Sequence, residues 1–118
     1  MRIGIPREIH EGERRVATTP EAATLLQKLG FELAVETQAG QAAKFTDAAY
    51  EDAGVTVIEN AAALYEQSDI ILKVRAPITD EQNGINEPEL LRQGQTLISF
   101  IQPGQNEALM NELASRNI

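Results

Sequence analysis

Apolar positions along the chain recur at two spacings, one typical of strands and the other of helices. The run RIGI at 2–5 predicts a first strand. Thr19 and Pro20 are typical of a helix start, and Gly30 is typical of its end. Between them, a three- and four-residue spacing predicts one buried stripe on that helix, made of Ala22, Leu25, Leu26 and Leu29.

The same alternation continues to the end of the chain. Further strands are predicted at 31–36, 55–58, 69–74 and 96–101, and further helices at 46–53, after Asn60, from Asn86 to Gly94 and after Asn106. The segment 76–88, rich in Pro, Asn, Gly and acids, is predicted to be irregular and mobile. This order predicts an α/β fold, namely a Rossmann-like or flavodoxin-like three-layer sandwich with a mainly parallel sheet. The length of 118 residues fits a single domain spanning 1–118.

Composition narrows the class of function. The net charge of −8 disfavours binding to nucleic acid, whose phosphates are usually met by patches of Lys and Arg. The absence of cysteine excludes disulfides, thiolate metal sites and thiol nucleophiles. No apolar stretch approaches the length of a signal peptide or a membrane span, so we expect a cytoplasmic compartment and no direct membrane insertion.

Basic side chains follow several predicted strands at the point where each strand ends. Arg7 and Arg15 lie in the segment after the first strand, and Lys73 lies near the end of the fourth. Ligands of open α/β sheets bind outside the carboxyl ends of the strands, so these groups are expected to converge there. The helix start at Thr19 adds backbone N–H groups that favour an anion.

Lys73 is the clearest candidate for a functional residue because it interrupts an apolar strand. It either pairs with Glu8 or another acid, or it binds an anion, since a buried ammonium group is costly without a partner. Arg15 has the same two interpretations, whereas Arg14 is predicted to be surface charge. The single histidine, His10, is interpreted as an exposed residue without a role, and one histidine without cysteine supports no transition-metal site.

The glycines do not form a nucleotide-binding fingerprint. They lie at positions 4, 12, 30, 40, 54, 84, 94 and 104, so no two are spaced as G-x-G. The alternation of a Rossmann unit is therefore present without its dinucleotide motif. From the residues alone, the chain is an α/β domain with a basic pocket at the strand ends.

Several segments in succession resemble a known family. The stretches MRIGIPREIHEGERRVATTP, VETQAGQAAKFTDAAYEDAGV, DIILKVRAP and LISFIQPGQNEALMNELASRNI are similar to the N-terminal domain shared by alanine dehydrogenase and the alpha subunit of proton-translocating NAD(P) transhydrogenase. The resemblance implies a two-domain protein in which this chain is the first half of domain one. It also implies a separate Rossmann domain carrying NAD beyond Ile118. The family's GAG turn reads Gln38-Ala39-Gly40 here, which is a departure.

The resemblance also separates the two branches of the family. In alanine dehydrogenase an arginine and a lysine that match Arg15 and Lys73 hold the carboxylate of pyruvate, and a histidine follows the fifth strand. The position of that histidine is Gln102 here, so no imidazole is available for proton transfer. The transhydrogenase branch is therefore favoured, with Glu8 and Gln102 as pocket-lining candidates and no catalytic residue, cofactor-binding residue or metal site assigned in this chain.

In that branch the whole enzyme transfers hydride from NADH to NADP+ while protons cross the membrane. NAD and NADP are the implied cofactors, and neither is expected to bind this piece tightly or to react on it. The implied partners are the beta subunit, the remaining alpha-subunit domains and a second copy, at the cytoplasmic face of the inner membrane. Two alternatives stay open, a piece of an alanine dehydrogenase acting on pyruvate and L-alanine, and a non-catalytic dimerisation module.

Overall fold

The structure is a computed structural model that describes residues 1–80, 84–101 and 103–118. Its strands are β1 (Arg2–Ile5), β2 (Glu32–Glu36), β3 (Thr56–Ile58), β4 (Ile70–Arg75), β5 (Thr79–Asp80), β6 (Ile85–Asn86) and β7 (Thr96–Phe100). Its helices are α1 (Pro20–Lys28), α2 (Asp47–Asp52), α3 (Ala61–Gln67), α4 (Glu87–Leu90) and α5 (Glu107–Ser115). Single 3-10 turns at Gln41–Ala43 and Pro103–Gln105 complete the described elements.

The main sheet confirms the predicted α/β architecture. Among the described residues it has five strands in the order β3-β2-β1-β4-β7, and every neighbouring pair is parallel. Of the two arrangements left open by the sequence, this is the Rossmann order, which runs outward in both directions from the first strand. The direction of strand addition reverses between β1 and β4, so the switch point of the fold lies at their carboxyl ends.

The sheet is covered on both faces by helices, which gives three layers. Alternate residues of β4 separate the two faces: Leu72 packs against a cluster that includes Tyr50 of α2, whereas Ile71 packs with Tyr65 of α3. Tyr50, Tyr65 and Ile71 are fully buried. Burying such a side chain stabilises the fold by about 1.5–3 kcal/mol, so both helical layers are needed to hold the sheet.

The first helix begins and ends as predicted, but its predicted buried stripe is only partly right. Thr19 accepts a hydrogen bond from the N–H of Ala22, and Gly30 follows the helix with a positive φ of 99°. However, Leu25 and Leu29 are 58% and 74% exposed, and the fully buried residue is Ala23. The helix ends at Lys28, so Leu29 lies beyond it, and Ala23 packs in the core together with the partly buried Leu26.

The segment predicted to be irregular contains regular structure. Thr79 pairs with Asn86 and Asp80 with Ile85 in a short antiparallel ladder, while residues 81–83 lie outside the described residues. Asn86 caps α4 by accepting from the N–H of Glu89, as its spacing predicts. The helix is shorter than predicted because Leu91 is already extended, well before Gly94.

The last strand and the last helix also differ in detail from the prediction. Asn106 precedes α5, but its side chain makes no capping hydrogen bond to that helix. β7 has β4 as its neighbour on one side and is the outermost strand of the described sheet. Two apolar residues of β7 are exposed, Ile98 by 52% and Phe100 by 78%. This edge of the sheet therefore has an uncovered apolar face.

The turn after β2 contains a strained residue where the related family has glycine. Gln38 has a φ of 65°, in the left-handed region that costs a residue with a side chain about 1–2 kcal/mol. Replacing Gln38 by glycine should therefore raise the free energy of unfolding by about 0.5–1 kcal/mol, after allowing for the greater chain entropy of glycine. Urea denaturation measures this change. Gln41, in the adjacent 3-10 turn, is the control position, because Gln41→Gly is expected to lower the free energy of unfolding.

Candidate functional site

A buried ammonium group lies between two carboxylates at the end of β4. Lys73 lies in β4, and its Nζ is 3.2 Å from Oε1 of Glu8 and 3.1 Å from Oε2 of Glu87. The exposed fractions of the three side chains are 0%, 2% and 3%. Lys73 therefore has carboxylate partners on two sides, from the segment after β1 and from the start of α4.

Glu8 also satisfies backbone groups that β4 leaves unpaired. The register of β4 against β7 shifts between Leu72 and Arg75, which marks a bulge. The N–H groups of Val74 and Arg75 donate to the two Glu8 oxygens, each at 3.0 Å. A bulge removes ladder partners, so the carboxylate of Glu8 takes their place and fixes the direction in which β4 leaves the sheet.

Glu87 fastens the segment after β4 to the same network. Its Oε1 accepts from the N–H of Ile78 at 3.0 Å, and its own N–H donates to the carbonyl of Ile78 at 3.1 Å. The Tyr65 hydroxyl donates to Glu87 Oε2 at 3.4 Å, and burial is the main cause that raises the pKa of Tyr65. Glu87 thereby joins α3, the segment around Ile78 and Lys73.

A third carboxyl group lies close to this network at the end of β2. Glu36 accepts from the backbone N–H of Arg7 at 2.9 Å. Burial is the largest cause that raises the pKa of Glu36, and the charge of Glu87 acts in the same direction, whereas the hydrogen bond from Arg7 acts against it. The ends of β1, β2 and β4 therefore gather more acidic groups than the single Lys73 can neutralise.

A second ionic cluster lies nearer to solvent. Glu13 accepts from Nη2 of Arg15 at 2.8 Å and from its Nε at 2.9 Å, and it lies 3.7 Å from Nη1 of Arg75. The Glu13 side chain is only 4% exposed, whereas Arg15 is 64% exposed. Both oxygens of Glu13 thus accept hydrogen bonds from Arg15 in a bidentate ion pair.

Arg15, Arg75 and His10 border an open cavity of about 600 Å³ at the carboxyl ends of β4 and β7. Nε2 of His10 lies 3.0 Å from the carbonyl oxygen of Ala76, so this histidine is half-buried and engaged, contrary to its interpretation as an exposed residue. The remaining described lining residues are apolar or uncharged, namely Val74, Ala76, Phe100, Ile101, Gln105 and Asn106. This cavity can accommodate a small anion with an apolar part.

The basic residues singled out from the sequence do not all meet. Arg15 and Lys73 border one shallow groove along β4 and β7, but the ammonium group of Lys73 is bound by Glu8 and Glu87. Glu8 lies at the strand ends as expected, as the partner of Lys73 rather than as an open pocket wall. Gln102 lies outside the described residues. Whether Arg15 or Lys73 binds a ligand stays a prediction.

Sequence reasoning missed Glu87. It lies in the first turn of α4, where an acid is already expected to favour the helix dipole, so its spacing carried no signal of a long-range partner. Arg75, at the end of β4, lies near Glu13 together with Arg15, and no spacing in the sequence signals this contact. Both contacts depend on how the segments after β1 and β4 return across the sheet.

The switch point between β1 and β4 does not fit a dinucleotide. A Rossmann domain places the pyrophosphate there, against a glycine-rich turn and a helix N-terminus. In this chain Pro6, Arg7 and Glu8 follow β1, and the carboxylate of Glu8 fills the position next to the β4 backbone. The side chain of Glu8 therefore occupies the position that a pyrophosphate would take, and no binding mode for NAD is derived at this crevice.

The Glu13–Arg15 pair predicts a change in acid stability. The hydrogen bond from the Arg15 side chain is the largest cause that lowers the pKa of Glu13, from the usual 4.5 to about 2. A carboxyl group with a lowered pKa in the folded state stabilises the fold above its unfolded pKa, and this contribution is lost as the pH falls from 4.5 towards 2. Because Arg15 is solvent-exposed, we expect the contribution of Glu13 to the free energy of unfolding to be only about 1 kcal/mol.

Urea denaturation of Glu13→Gln measures that contribution. The native chain should lose stability more steeply than the variant between pH 4.5 and 2, and Glu21→Gln, on the exposed first turn of α1, should follow the native curve. Parallel curves for the native chain and Glu13→Gln would show that the pair contributes nothing.

Comparison with known proteins identifies the family of this chain. Residues 4–118 match the family described as "Alanine dehydrogenase/PNT, N-terminal domain". The chain belongs to this family. It is 54% identical over 110 residues to the NAD(P) transhydrogenase subunit alpha of Cereibacter sphaeroides, covering 93% of this chain and 20% of that protein. It is 35% identical over 113 residues to the alanine dehydrogenase of Halomonas elongata, covering 96% of this chain and 29% of that protein.

Solved structures of the family have the same fold. The transhydrogenase from Sinorhizobium meliloti superposes with a TM-score of 0.86 at 33% identity, over 99% of this chain and 33% of that one. An L-alanine dehydrogenase superposes with a TM-score of 0.88 at 29% identity, over 98% of this chain and 30% of that one. The chain thus spans between a fifth and a third of the length of these relatives. Every helix in the part of the chain described by the structure is too short or too polar to cross a membrane.

Proposed function

We propose that this chain is the N-terminal part of the alpha subunit of a proton-translocating NAD(P) transhydrogenase. The observation that carries the proposal is the 54% identity to a transhydrogenase alpha subunit, compared with 35% to an alanine dehydrogenase. Gln102 supports the same branch, because an amide cannot exchange a proton with a substrate as an imidazole does. The whole enzyme would transfer hydride from NADH to NADP+ and couple this transfer to proton movement.

In this proposal the chain forms the first half of the N-terminal domain, and a Rossmann domain beyond Ile118 binds NAD. The crevice that binds a dinucleotide in a Rossmann fold is filled here by Glu8, which supports a separate site for the cofactor. The exposed Ile98 and Phe100 on β7 support a continuation of the domain across that face, because apolar side chains of this size are normally covered.

The role of the described residues in this proposal is structural. Lys73, Glu8 and Glu87 hold the segments that leave β1 and β4 in fixed positions, and these segments form the rim that would face the cofactor domain. Arg15 is held by Glu13 on the same rim. NAD, when bound to its own domain, would supply the hydride, and this chain would shape and shield one side of the cleft.

The proposed partners are the beta subunit, the rest of the alpha subunit and a second copy of the alpha subunit. The proposed location is the cytoplasmic face of the inner membrane, reached through the membrane component of the enzyme. The net charge of −8 supports attachment through protein contacts rather than through acidic lipids, because like charges repel.

Two assays test the proposal. The 118-residue chain alone should show no NADH-dependent reduction of an NADP+ analogue, since it lacks a dinucleotide fingerprint. The complete product of its gene, supplied with pyruvate, ammonia and NADH, should form no alanine. Alanine formation would contradict the proposal and assign the chain to the alanine dehydrogenase branch, with Arg15 and Lys73 as carboxylate-binding candidates.

A further inference from the structure

A second cavity shares His10 and Arg15 with the first. Its volume is about 430 Å³, within the usual range of small-molecule sites. It lies between the segment after β1, the turn after β2 and the β5–β6 ladder. The charged and amide-bearing residues of its lining that bear on ligand binding are Arg7, Glu8, Glu13, Arg14, Gln38 and Asp80.

Two arginines that line this cavity form no ion pair among the described residues. Among the described residues, the side chains of Arg7 and Arg14 form no ion pair and no hydrogen bond, whereas Arg15 is bound by Glu13. The carboxylates that share the lining are already engaged: Glu8 with Lys73, and Glu13 with Arg15. Asp80 also has an interaction partner. The lining therefore includes two arginines that form no ion pair among the described residues, in a chain whose net charge is −8, and the charge of Arg7 also acts to lower the pKa of Glu36.

The cavity lining also includes a residue with a neutral hydrogen-bond donor. Gln38 is exposed and lines the cavity, and its backbone has a φ of 65°. The backbone N–H of Gln38 donates to Asp47 Oδ1 at 2.8 Å, which holds the turn in this conformation. A residue kept in a strained conformation at a cavity wall is a frequent feature of ligand sites. Gln38 thus adds a side-chain amide to the same lining as the two arginines.

We propose that this cavity binds the phosphate group of a small phosphate ester, with Arg7 and Arg14 as the charged ligands and Gln38 as a neutral donor. Each guanidinium presents several N–H groups in a planar fork, which matches adjacent oxygens of a phosphate dianion. A carboxylate offers fewer acceptors and only one charge, so two arginines favour phosphate. The volume leaves room for the organic part of the ester beside the group that is bound.

Calorimetric titration of the complete protein encoded by the gene tests the proposal. The probes are inorganic phosphate and glycerol 3-phosphate, which lack a base and so avoid any dinucleotide site, with chloride at matched ionic strength as the blank. Saturable binding is expected, and it should weaken with salt because both arginines are exposed. Tighter binding of glycerol 3-phosphate would identify an ester as the ligand, and equal affinities would identify free phosphate.

Variants separate this site from general electrostatics. Arg7→Gln and Arg14→Gln should each weaken binding about tenfold, the loss expected for one charge-assisted contact. Lys28→Gln, which removes one exposed charge from the last turn of α1, should change the affinity less than about twofold. Gln38→Gly should weaken phosphate binding even though it is expected to stabilise the fold.

Binding that is absent at millimolar phosphate, or that falls equally in Lys28→Gln and Arg14→Gln, would overturn the proposal. Circular dichroism of each variant confirms that the fold persists. The hydride-transfer assays do not depend on this cavity, so their failure and the failure of phosphate binding are separate results.

Discussion

Replacing Lys73 by methionine is expected to lower the free energy of unfolding by about 3–5 kcal/mol, as measured by urea denaturation at pH 7. Methionine fills a similar volume, so the loss comes from charge rather than from a cavity. It would leave the carboxylates of Glu8 and Glu87, 2% and 3% exposed, without their cation. Removing one partner of a buried ion pair is costly because the other charge stays desolvated. For a domain of this size, such a loss approaches the whole stability.

A second variant keeps this prediction testable if Lys73→Met does not fold. Lys73→Met combined with Glu87→Gln should recover part of the loss, since one uncompensated carboxylate becomes a neutral amide that can still accept from the N–H of Ile78. Lys28→Met, on the exposed end of α1, is the matched control and should stay within about 0.5 kcal/mol of the native chain. A Lys73→Met variant as stable as that control would contradict the structural role of Lys73.

Replacing Gly4 by alanine is the second change with a large expected effect. Gly4 lies in β1 beside the end of α3, and a Cβ there would meet the Ser68 Oγ at 2.1 Å and its Cβ at 2.8 Å. Ser68 is fully buried and donates to the carbonyl of Leu64 at 2.6 Å, so it cannot move away freely. The backbone of a central strand would have to shift, and we expect a loss of about 3 kcal/mol in urea denaturation.

The matched control is Gly104→Ala, because a Cβ at Gly104 has no atom within 4 Å. That variant should remain close to the native stability. Ser68→Gly removes both atoms that collide, so the double variant with Gly4→Ala should be more stable than the sum of the single changes predicts. Strict additivity of the two changes would contradict a direct contact between these positions.

Local sequence signals predicted most of the helices and strands. They failed where tertiary packing determines which residues are buried. The strand RIGI and the cap at Thr19 depend on neighbours in sequence, and both occur as predicted. The buried stripe of α1 depends on how closely that helix approaches the sheet, and there Ala23 replaced Leu25 and Leu29. The β5–β6 ladder was not predicted because strands of two residues carry no periodicity.

Only those features of the site that lie within a single chain segment were predictable from the sequence. A lysine inside an apolar strand required either an acid or a ligand, and pairing with Glu8 was one of the two alternatives. The sequence could not select Glu87, which reaches Lys73 only because the segment after β4 folds back. Likewise Arg7 and Arg14 look like separate surface charges until the turn at Gln38 closes a cavity around them.

The most direct test of the central claim is a hydride-transfer assay on the complete alpha subunit encoded by this gene, combined with its beta subunit in membrane vesicles. The measured quantity is the rate of NADH-dependent reduction of an NADP+ analogue, together with the pH change inside the vesicles. We predict reduction coupled to proton movement, lost when either subunit is omitted. Formation of alanine from pyruvate and ammonia without any reduction of the analogue would contradict the assignment.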